Sequence, residues 1–446
     1  MDILSVLPVL ITVFGIGFIV KLRAFFILHP CRTAKTLAPM LKDQSAFLSL
    51  MLSLAGTLGV GNIVGVAYGI AVGGKGMLFW LVISAFFAMA IKYAEATVAA
   101  DFRENDEGGI FYVIKKSFSK FKNPLSAIYA ILIVALSITM GAPLQAGAAL
   151  DTLSLTEKGE QIASLFFTLA VCFAIFGGKR KIERITGILI PIATIIYIFL
   201  TLAVIVPNIK AIPSLLFDII KDAFNFRAAL GGVSAFIFSR GLKEGFLRGL
   251  LSNEAGAGTS AIAHSQNKSG SAAAVGVFGI TEVFIDTLIL CPLTAFAVLL
   301  NVKSPESFSG GIEIINAALS SIKAISVPLL SFSVFTFAYS TVICWYYYGI
   351  SALEFLANTK RALYTVLFIA ALLFGSLLPE SILILASDYI LFFLTLISLF
   401  AISKNSDRLV RLSENEGLIT KRGYGKEALR KARQESKKAP TRKVRQ

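Results

Sequence analysis

The chain has 446 residues, 56% of them hydrophobic and 15% charged, with a formal net charge of +15 and a mean hydropathy of +0.77. Average soluble proteins carry about 25% charged residues, so this composition excludes an ordinary water-soluble domain and places the chain in a lipid bilayer. Cys31, Cys172, Cys291 and Cys344 share no ligand spacing and give no disulfide framework, and His29 and His264 have no metal-ligand neighbour at short range. HExxH and GxSxG patterns are also absent, which argues against an enzyme.

A helix needs about 20 apolar residues to cross a hydrocarbon core of roughly 30 Å. Eleven candidate spans follow in chain order: 3–20, 45–73, 77–100, 124–149, 160–177, 185–206, 228–250, 272–300, 326–356, 362–378 and 381–403. The first begins Met1-Asp2-Ile3, without a basic start or a small-residue cleavage site, and reads as a retained helix rather than a signal peptide. Segments after spans 1, 3, 5, 7 and 9 hold five, five, four, one and two Lys or Arg, against one, one, three, two and none after spans 2, 4, 6, 8 and 10. Basic loops stay cytoplasmic, so the N-terminus is expected outside and the C-terminus inside a plasma membrane.

The second span is broken by glycine. Ser53 to Ala67 contains Gly56, Gly59, Gly61 and Gly65 together with Thr57 and Asn62, and each glycine lowers helix propensity by about 1 kcal/mol relative to alanine. Packing between neighbouring helices would also favour such small residues. A break at mid-membrane, however, exposes amides and carbonyls that lipid cannot satisfy, so it persists where a solute or ion supplies partners. A half-helix starting near Val60 to Asn62 would offer free N–H groups and a positive dipole end to an anionic group. Carbonyls around Ala55 to Leu58 would suit a desolvated cation such as sodium, or an ammonium group. Thr57, Gly59, Val60, Gly61 and Asn62 are therefore candidate substrate contacts.

A second interrupted segment lies near Gly231 to Gly258. With the first span set aside, spans 2–6 and 7–11 form two fives of opposite direction, each opening on its broken segment, as in an inverted repeat. The implied organisation is an N-terminal helix and basic loop at 1–44, repeats at 45–206 and 207–403, and a basic cytoplasmic tail at 404–446. From Lys404 onward the chain holds fourteen of its forty-two basic residues. Nucleic acid is one conceivable partner for such a tail, but anionic lipid headgroups explain the same charge with fewer assumptions.

Charge inside the spans needs a partner or solvent. Lys92 and Glu95 lie three apart and could neutralise each other within one helix. Glu282 and Asp286 lie four apart, on one predicted helix face, where they could bind a cation, relay protons, or pair with Lys243, Arg248 or a helix terminus as a structural lock. Asn253 and Glu254 fit a gate or a helix cap near the cytoplasmic mouth. Leu215 to Phe224 has the pattern of an amphipathic surface helix, a possible outer lid.

Several stretches match a known pattern in order: Gly59-Val60-Gly61-Asn62-Ile63-Val64-Gly65-Val66-Ala67, Gly73-Gly74-Lys75-Gly76, Ile91-Lys92-Tyr93-Ala94-Glu95, Arg248 to Gly258 with Ile262-Ala263-His264, Glu282 to Thr287, and Ser340-Thr341 with Trp345, Tyr347, Tyr348 and Gly349. On these the chain resembles the alanine or glycine:cation symporters, also called sodium:alanine symporters. The resemblance implies an all-α integral membrane protein of about 11 transmembrane helices, a leucine-transporter-type 5+5 inverted repeat preceded by one extra helix. It also implies sodium-coupled uptake of a small neutral amino acid by alternating access. By the same resemblance Gln145 would contact substrate, and carbonyls of Ala55 and Leu58 would meet the hydroxyls of Ser340 and Thr341 around sodium.

The chain departs from the family at Gly141 to Gly147, where asparagines usually flank the glutamine, at Ala261 in place of proline, at Glu244, and at Ile350 after Gly349 in place of an acidic residue. These changes bear on which amino acid is carried more than on fold. The alternatives are a proton- or sodium-coupled carrier of a different amino acid and a passive channel, although the rings of charge and short filter that mark channels are missing. The sequence does not define an oligomeric state.

Overall fold

The structure is a computed structural model, and it describes residues 6–105, 107–118, 122–153, 156–224, 240–356, 360–374 and 380–420. The described residues are helical, with one isolated bridge between Glu104 and Glu107. Seven helices are long and apolar enough to cross a membrane, or eight when one bent pair counts as a span. Eleven spans were expected. Two of the remaining three, Leu7–Lys21 and Arg361–Phe374, are apolar helices of 15 and 14 residues, below the length of a straight crossing. The third, at 228–250, is described only from Arg240 onward, and 421–446 of the expected tail lies outside the described residues.

In chain order α1 is Leu7–Lys21 and α2 is Pro30–Met40. Next, α3 (Gln44–Thr57) and α4 (Val64–Gly73) form the bent pair, with axes 63° apart. Helix α3 starts where the Asp43 carboxylate accepts the Ala46 amide at 2.9 Å, a cap that satisfies an otherwise orphaned donor. Helix α5 (Met77–Asp101) is buried along most of its length. Short α6 (Ile110–Ser117) leads to α7 (Lys122–Thr139), a π turn at Met140–Leu144 and α8 (Gln145–Asp151). Pro143 lies in that π turn, and its missing N–H explains why the α ladder is interrupted there.

Helices α9 (Glu157–Ile175) and α10 (Lys179–Ile205) follow. Then comes α11 (Ile212–Ala223), which buries Leu215, Ile219 and Ala223 and leaves Leu216, Phe217 and Ile220 exposed. The expected amphipathic helix is therefore present. It docks beside the start of α5: the Gly76 amide donates to Asp222 Oδ2 at 2.7 Å, and Trp80 Nε1 donates to the Ala223 carbonyl at 3.2 Å.

The second half of the chain supplies α12 (Arg240–Asn253), short α13 (Ser260–His264), and α14 (Ala272–Val283), which a π turn at Phe284–Leu290 joins to α15 (Cys291–Asn301). After α16 (Gly311–Leu319) comes the 31-residue α17 (Ser326–Leu356), then α18 (Arg361–Phe374), α19 (Glu380–Lys404) and α20 (Ser406–Asn415). Helix α5 packs along both α12 and α14, and α17 packs against α10, α7, α8 and α3. The core thus encloses the bend between α3 and α4.

Candidate functional site

The bend begins where α3 loses its hydrogen-bond ladder. The Gly59 amide turns to the Thr57 carbonyl at 2.9 Å and to Asn62 Oδ1 at 3.2 Å, so Ala55 does not receive the bond a continuing helix would give it. One 3-10 turn, Val60–Asn62, intervenes before α4. Gly61 is exposed and a side chain there would meet open space. Val60 and Thr57 are buried, and Thr57 Oγ1 lies back against its own helix, 3.4 Å from the Ser53 carbonyl.

Two other segments close around this bend. From the first residue of α8 comes Gln145, whose Oε1 is buried without a protein partner and lies 3.0 Å from the position of a Cβ on Gly59. From α17 come Ser340, Thr341, Trp345 and Tyr348. Thr341 Oγ1 sits 2.9 Å from the Phe337 carbonyl and 3.3 Å from the Leu58 carbonyl. Ser340 Oγ, Trp345 Nε1 and Tyr348 OH are buried and lack a protein partner. A side chain on Gly141 would collide with the Trp345 ring, and one on Gly56 would fall 2.6 Å from Tyr348 OH. Buried polar atoms are nearly always bonded, and Gln145 Oε1 beside Gly59 and Tyr348 OH beside Gly56 are exceptions at the bend. Of the expected site residues, Gln145 and Thr341 lie against Gly59 and Leu58, and Ser340 precedes Thr341 on α17. Trp345 and Tyr348 were visible only as motif letters, yet their spacing of four and seven from Thr341 already puts all three on one helix face.

Asn62 is committed elsewhere. Its Nδ2 donates to Ser252 Oγ at 2.8 Å and to Asp286 Oδ1, and its carbonyl accepts Thr294 Oγ1 at 2.9 Å. Ser252 and Thr287 both donate to Asp286 Oδ2 at 2.6 Å, and Asn253 Nδ2 reaches Thr287 Oγ1 at 3.1 Å. Asp286 is fully buried. The network ties the first bend to the end of α12 and to the π turn after α14. Ser252, adjacent to the predicted Asn253, was missed because a lone serine carries no spacing signal.

The second interruption lies at 254–259, between α12 and α13. Glu254, Gly256 and Gly258 have φ of 52°, 93° and 74°, the left-handed region that glycine adopts most readily. Glu254 accepts Thr259 Oγ1 at 2.6 Å, and Asn253 Oδ1 accepts the Ala255 amide at 3.0 Å. Both predicted gate or cap residues therefore shape this turn.

Two expectations about charge change. Lys92 does not pair within its helix: its Nζ donates to Glu282 Oε1 at 3.0 Å and Ser260 Oγ at 2.7 Å. Glu95 instead lies 3.4 Å from Ser398 Oγ. Glu282 and Asp286, four apart across the start of the π turn, take different partners. Glu282 meets Lys92 and His264, while Asp286 meets Asn62 and Ser252. Arg248, a suggested partner of Glu282, pairs with Glu244 at 3.2 Å.

A bundle of apolar helices holding two interruptions around buried polar groups is the architecture of a membrane transporter. The sequence pattern of the sodium:alanine symporter family matches residues 2–415, and the chain belongs to that family, whose members are transporters and not enzymes. It is 32% identical over 349 residues to the sodium/alanine symporter AgcS of Methanococcus maripaludis, covering 75% of this chain and 76% of that one. It is 31% identical over 395 residues to the amino-acid carrier protein AlsT of Bacillus subtilis, covering 86% and 82%. Over 419 residues it is 28% identical to a probable sodium/glutamine symporter, GlnT, of Bacillus subtilis, covering 89% and 85%.

Proposed function

We propose that this chain carries a small neutral amino acid, alanine or glycine, into the cell together with sodium, by alternating access around the α3–α4 bend. The observation that carries this reading is the bend itself, with Gln145 Oε1 and Tyr348 OH buried without protein partners against Gly59 and Gly56. Backbone at Gly59, Val60 and Gly61 would receive the substrate carboxylate at the start of the second half-helix, with Gln145 beside it. The Ala55 and Leu58 carbonyls with the Ser340 and Thr341 hydroxyls form an all-oxygen set suited to sodium. Asn62 serves the site by fixing the bend to α12 and the Asp286 turn, and Asn253 and Glu254 by shaping the second interruption.

Sodium at Thr341 would tie α17 to α3 and hold the bend in the form that fits the amino acid. Each ligand would then raise the other's affinity by the same factor. We assign the chain eleven spans in two inverted fives, 45–206 and 207–403, after an N-terminal helix, with the N-terminus outside and the tail cytoplasmic at the plasma membrane. The paired interruptions at 58–63 and 254–259, joined through Asn62 and Ser252, support that arrangement.

The test is uptake of labelled alanine and glycine, with glutamine as a third substrate because one relative bears its name, into proteoliposomes with and without an inward sodium gradient. Accumulation above equilibrium only with sodium is expected. Equilibration without accumulation would make the chain a channel or uniporter, and accumulation driven by a proton gradient alone would replace the coupling ion.

A further inference from the structure

Among the described buried carboxyl groups, Glu95 of α5 is the one that keeps an oxygen without a hydrogen bond. Its side chain is fully buried, Oε2 has no protein partner, and Oε1 lies 3.4 Å from Ser398 Oγ of α19. The Gly258 amide is the other donor beside it. Around that turn the walls are polar and close. A Cβ on Gly258 would lie 2.5 Å from Tyr129 OH of α7 and 3.1 Å from Ser398 Oγ, and one on Gly256 would lie 2.9 Å from Thr395 Cγ2 of α19. Tyr129 OH donates to the Ala257 carbonyl, whereas Thr395 Oγ1, three residues from Ser398 on the same face of α19, is buried without a partner.

The neighbourhood is short of positive charge. Four buried carboxyls share it, Glu95, Glu254, Glu282 and Asp286. Lys92, three residues before Glu95, bonds Glu282 Oε1 at 3.0 Å and Ser260 Oγ at 2.7 Å, and His264 of α13 bonds Glu282 Oε2 at 2.7 Å. Even with His264 protonated, these two cations cannot balance four carboxylates, and a buried charge without compensation is heavily penalised inside a membrane. Glu282 has both cations, Asp286 accepts from Ser252, Thr287 and Asn62, and Glu254 accepts Thr259 Oγ1 at 2.6 Å. Glu95, with one distant hydroxyl, one amide and a bare oxygen, is left to take up a positive charge. Space selects which one: walls 2.5–3.1 Å from a single added carbon leave no room for a metal ion with its shell of oxygens, and a proton needs none.

We propose that Glu95 is a proton site of this chain, separate from the α3–α4 bend, and that its proton links sodium-driven uptake to pH. The proton sits on Oε2, while Oε1 accepts from the Gly258 amide and from Ser398. Removing it leaves an anion among Glu254, Glu282 and Asp286, with Lys92 and Tyr129 already bonded elsewhere, and so disfavours the form of the chain described above. A proton held in one form and released in another makes the balance between them depend on pH: the protonated form is favoured toward low pH and loses ground as the pH rises.

The test is infrared difference spectroscopy on the full-length protein reconstituted in lipid, read at the carbonyl stretch of protonated carboxyl groups at neutral pH. A band is expected that shifts in deuterium oxide and is lost in Glu95→Gln. It should also move in Ser398→Ala, which leaves the carboxyl in place and takes away its hydroxyl neighbour. A band indifferent to both changes, or one lost in Glu254→Gln instead, overturns the proposal. So does a Glu95 band that appears only when sodium is withdrawn, which would make the ligand sodium. The second readout is sodium-driven uptake across pH, each profile normalised to its own value at neutral pH. The unaltered chain is expected to lose at least about threefold toward alkaline pH, and Glu95→Gln, which has no proton to give up, to stay within about twofold. A flat profile in the unaltered chain, or an equal decline in Glu95→Gln, overturns the link to uptake. A Glu95 band in a chain without sodium-driven uptake would leave the proton site standing and overturn the transport reading instead.

Discussion

The two interruptions use the same residue for different purposes. In α12 the glycines fall at 241, 245 and 249, four apart, and all face α5 and its lead-in: a Cβ on Gly241 would sit 3.0 Å from the Gly73 carbonyl, one on Gly245 2.6 Å from Trp80 Cβ, and one on Gly249 against Ser84. These glycines permit close helix packing and do not break the helix. Among the described residues the chain breaks after them, at Gly256 and Gly258, where left-handed backbone is required; Gly231 and Gly232 of the expected interruption lie outside the described residues. At the first interruption the spacing is irregular, 56, 59, 61 and 65. Gly61 and Gly65 face open space, while Gly56 and Gly59 abut polar atoms that lack partners. The first bend leaves Gln145 Oε1 and Tyr348 OH without protein partners; the turn of the second is held by Asn253 and Glu254, although His264 Nδ1 and Asn267 Nδ2 beyond it are also unpartnered.

Asp286 joins the two, and its loss is expected to have the largest effect. In Asp286→Asn one side-chain oxygen remains to accept the hydroxyls of Ser252 and Thr287 and the amide of Asn62, so at least one buried donor is orphaned. Uptake should fall about a hundredfold or more with the protein still folded by size-exclusion profile. Uptake within about threefold of the unaltered chain would mean that the bends are joined by packing alone. Next comes Thr341→Ala, which strikes only the first bend. The sodium concentration for half-maximal uptake should rise about tenfold, equivalent to roughly 1.4 kcal/mol, while Thr341→Ser stays close to the original. An unchanged sodium dependence would remove α17 from the ion site.

Matched glycine changes sharpen the contrast. Gly256→Ala places a side chain at φ 93° and against Thr395 and Ile11, so a loss of about 1–3 kcal/mol in stability is expected, with sodium affinity unaltered. Gly61→Ala meets nothing and should change stability by less than about 1 kcal/mol, yet lower alanine affinity several-fold by occupying the open side of the bend. Thermal unfolding and substrate titration on both variants separate the two outcomes, and a reversal of the pattern would exchange the roles of the two interruptions.

What the sequence disclosed follows the same division. The first bend was legible because four irregularly spaced glycines and two polar residues interrupt an otherwise apolar span, a pattern with a physical meaning inside lipid. The second was located only to within 228–258, since regular packing glycines at 241, 245 and 249 resemble breaking ones until their neighbours are known. Likewise Lys92 with Glu95 and Glu282 with Asp286 are sequence neighbours of suitable spacing. Their actual partners come from helices 190 and 224 residues away, and no periodicity reports such distances. Both π turns, at Met140–Leu144 and Phe284–Leu290, re-aim a functional residue by one position, which a 3.6-residue period cannot anticipate.

The smallest effect belongs to Asp43, at the far end of the first half-helix from the bend. Hydrogen bonds from the Ala46 amide and from Ser269 hold its carboxyl below the ordinary 3.8. A group lowered on folding contributes stability that is present above its unfolded value and lost as the pH falls through its folded one. The capping contribution of Asp43 should therefore be constant from neutral pH down to about 4 and fade below it. Asp43→Ala is expected to lower the midpoint of thermal unfolding by about a degree or two at neutral pH, and to remove this part of the acid dependence. Asp43→Asn keeps a side-chain acceptor for Ala46, so the midpoint should hold while the acid dependence still disappears. Sodium-driven uptake should be unaffected in both, because the cap lies a full half-helix from Gly59; a loss of uptake in Asp43→Asn would show that the charge, and not the cap, reaches the bend.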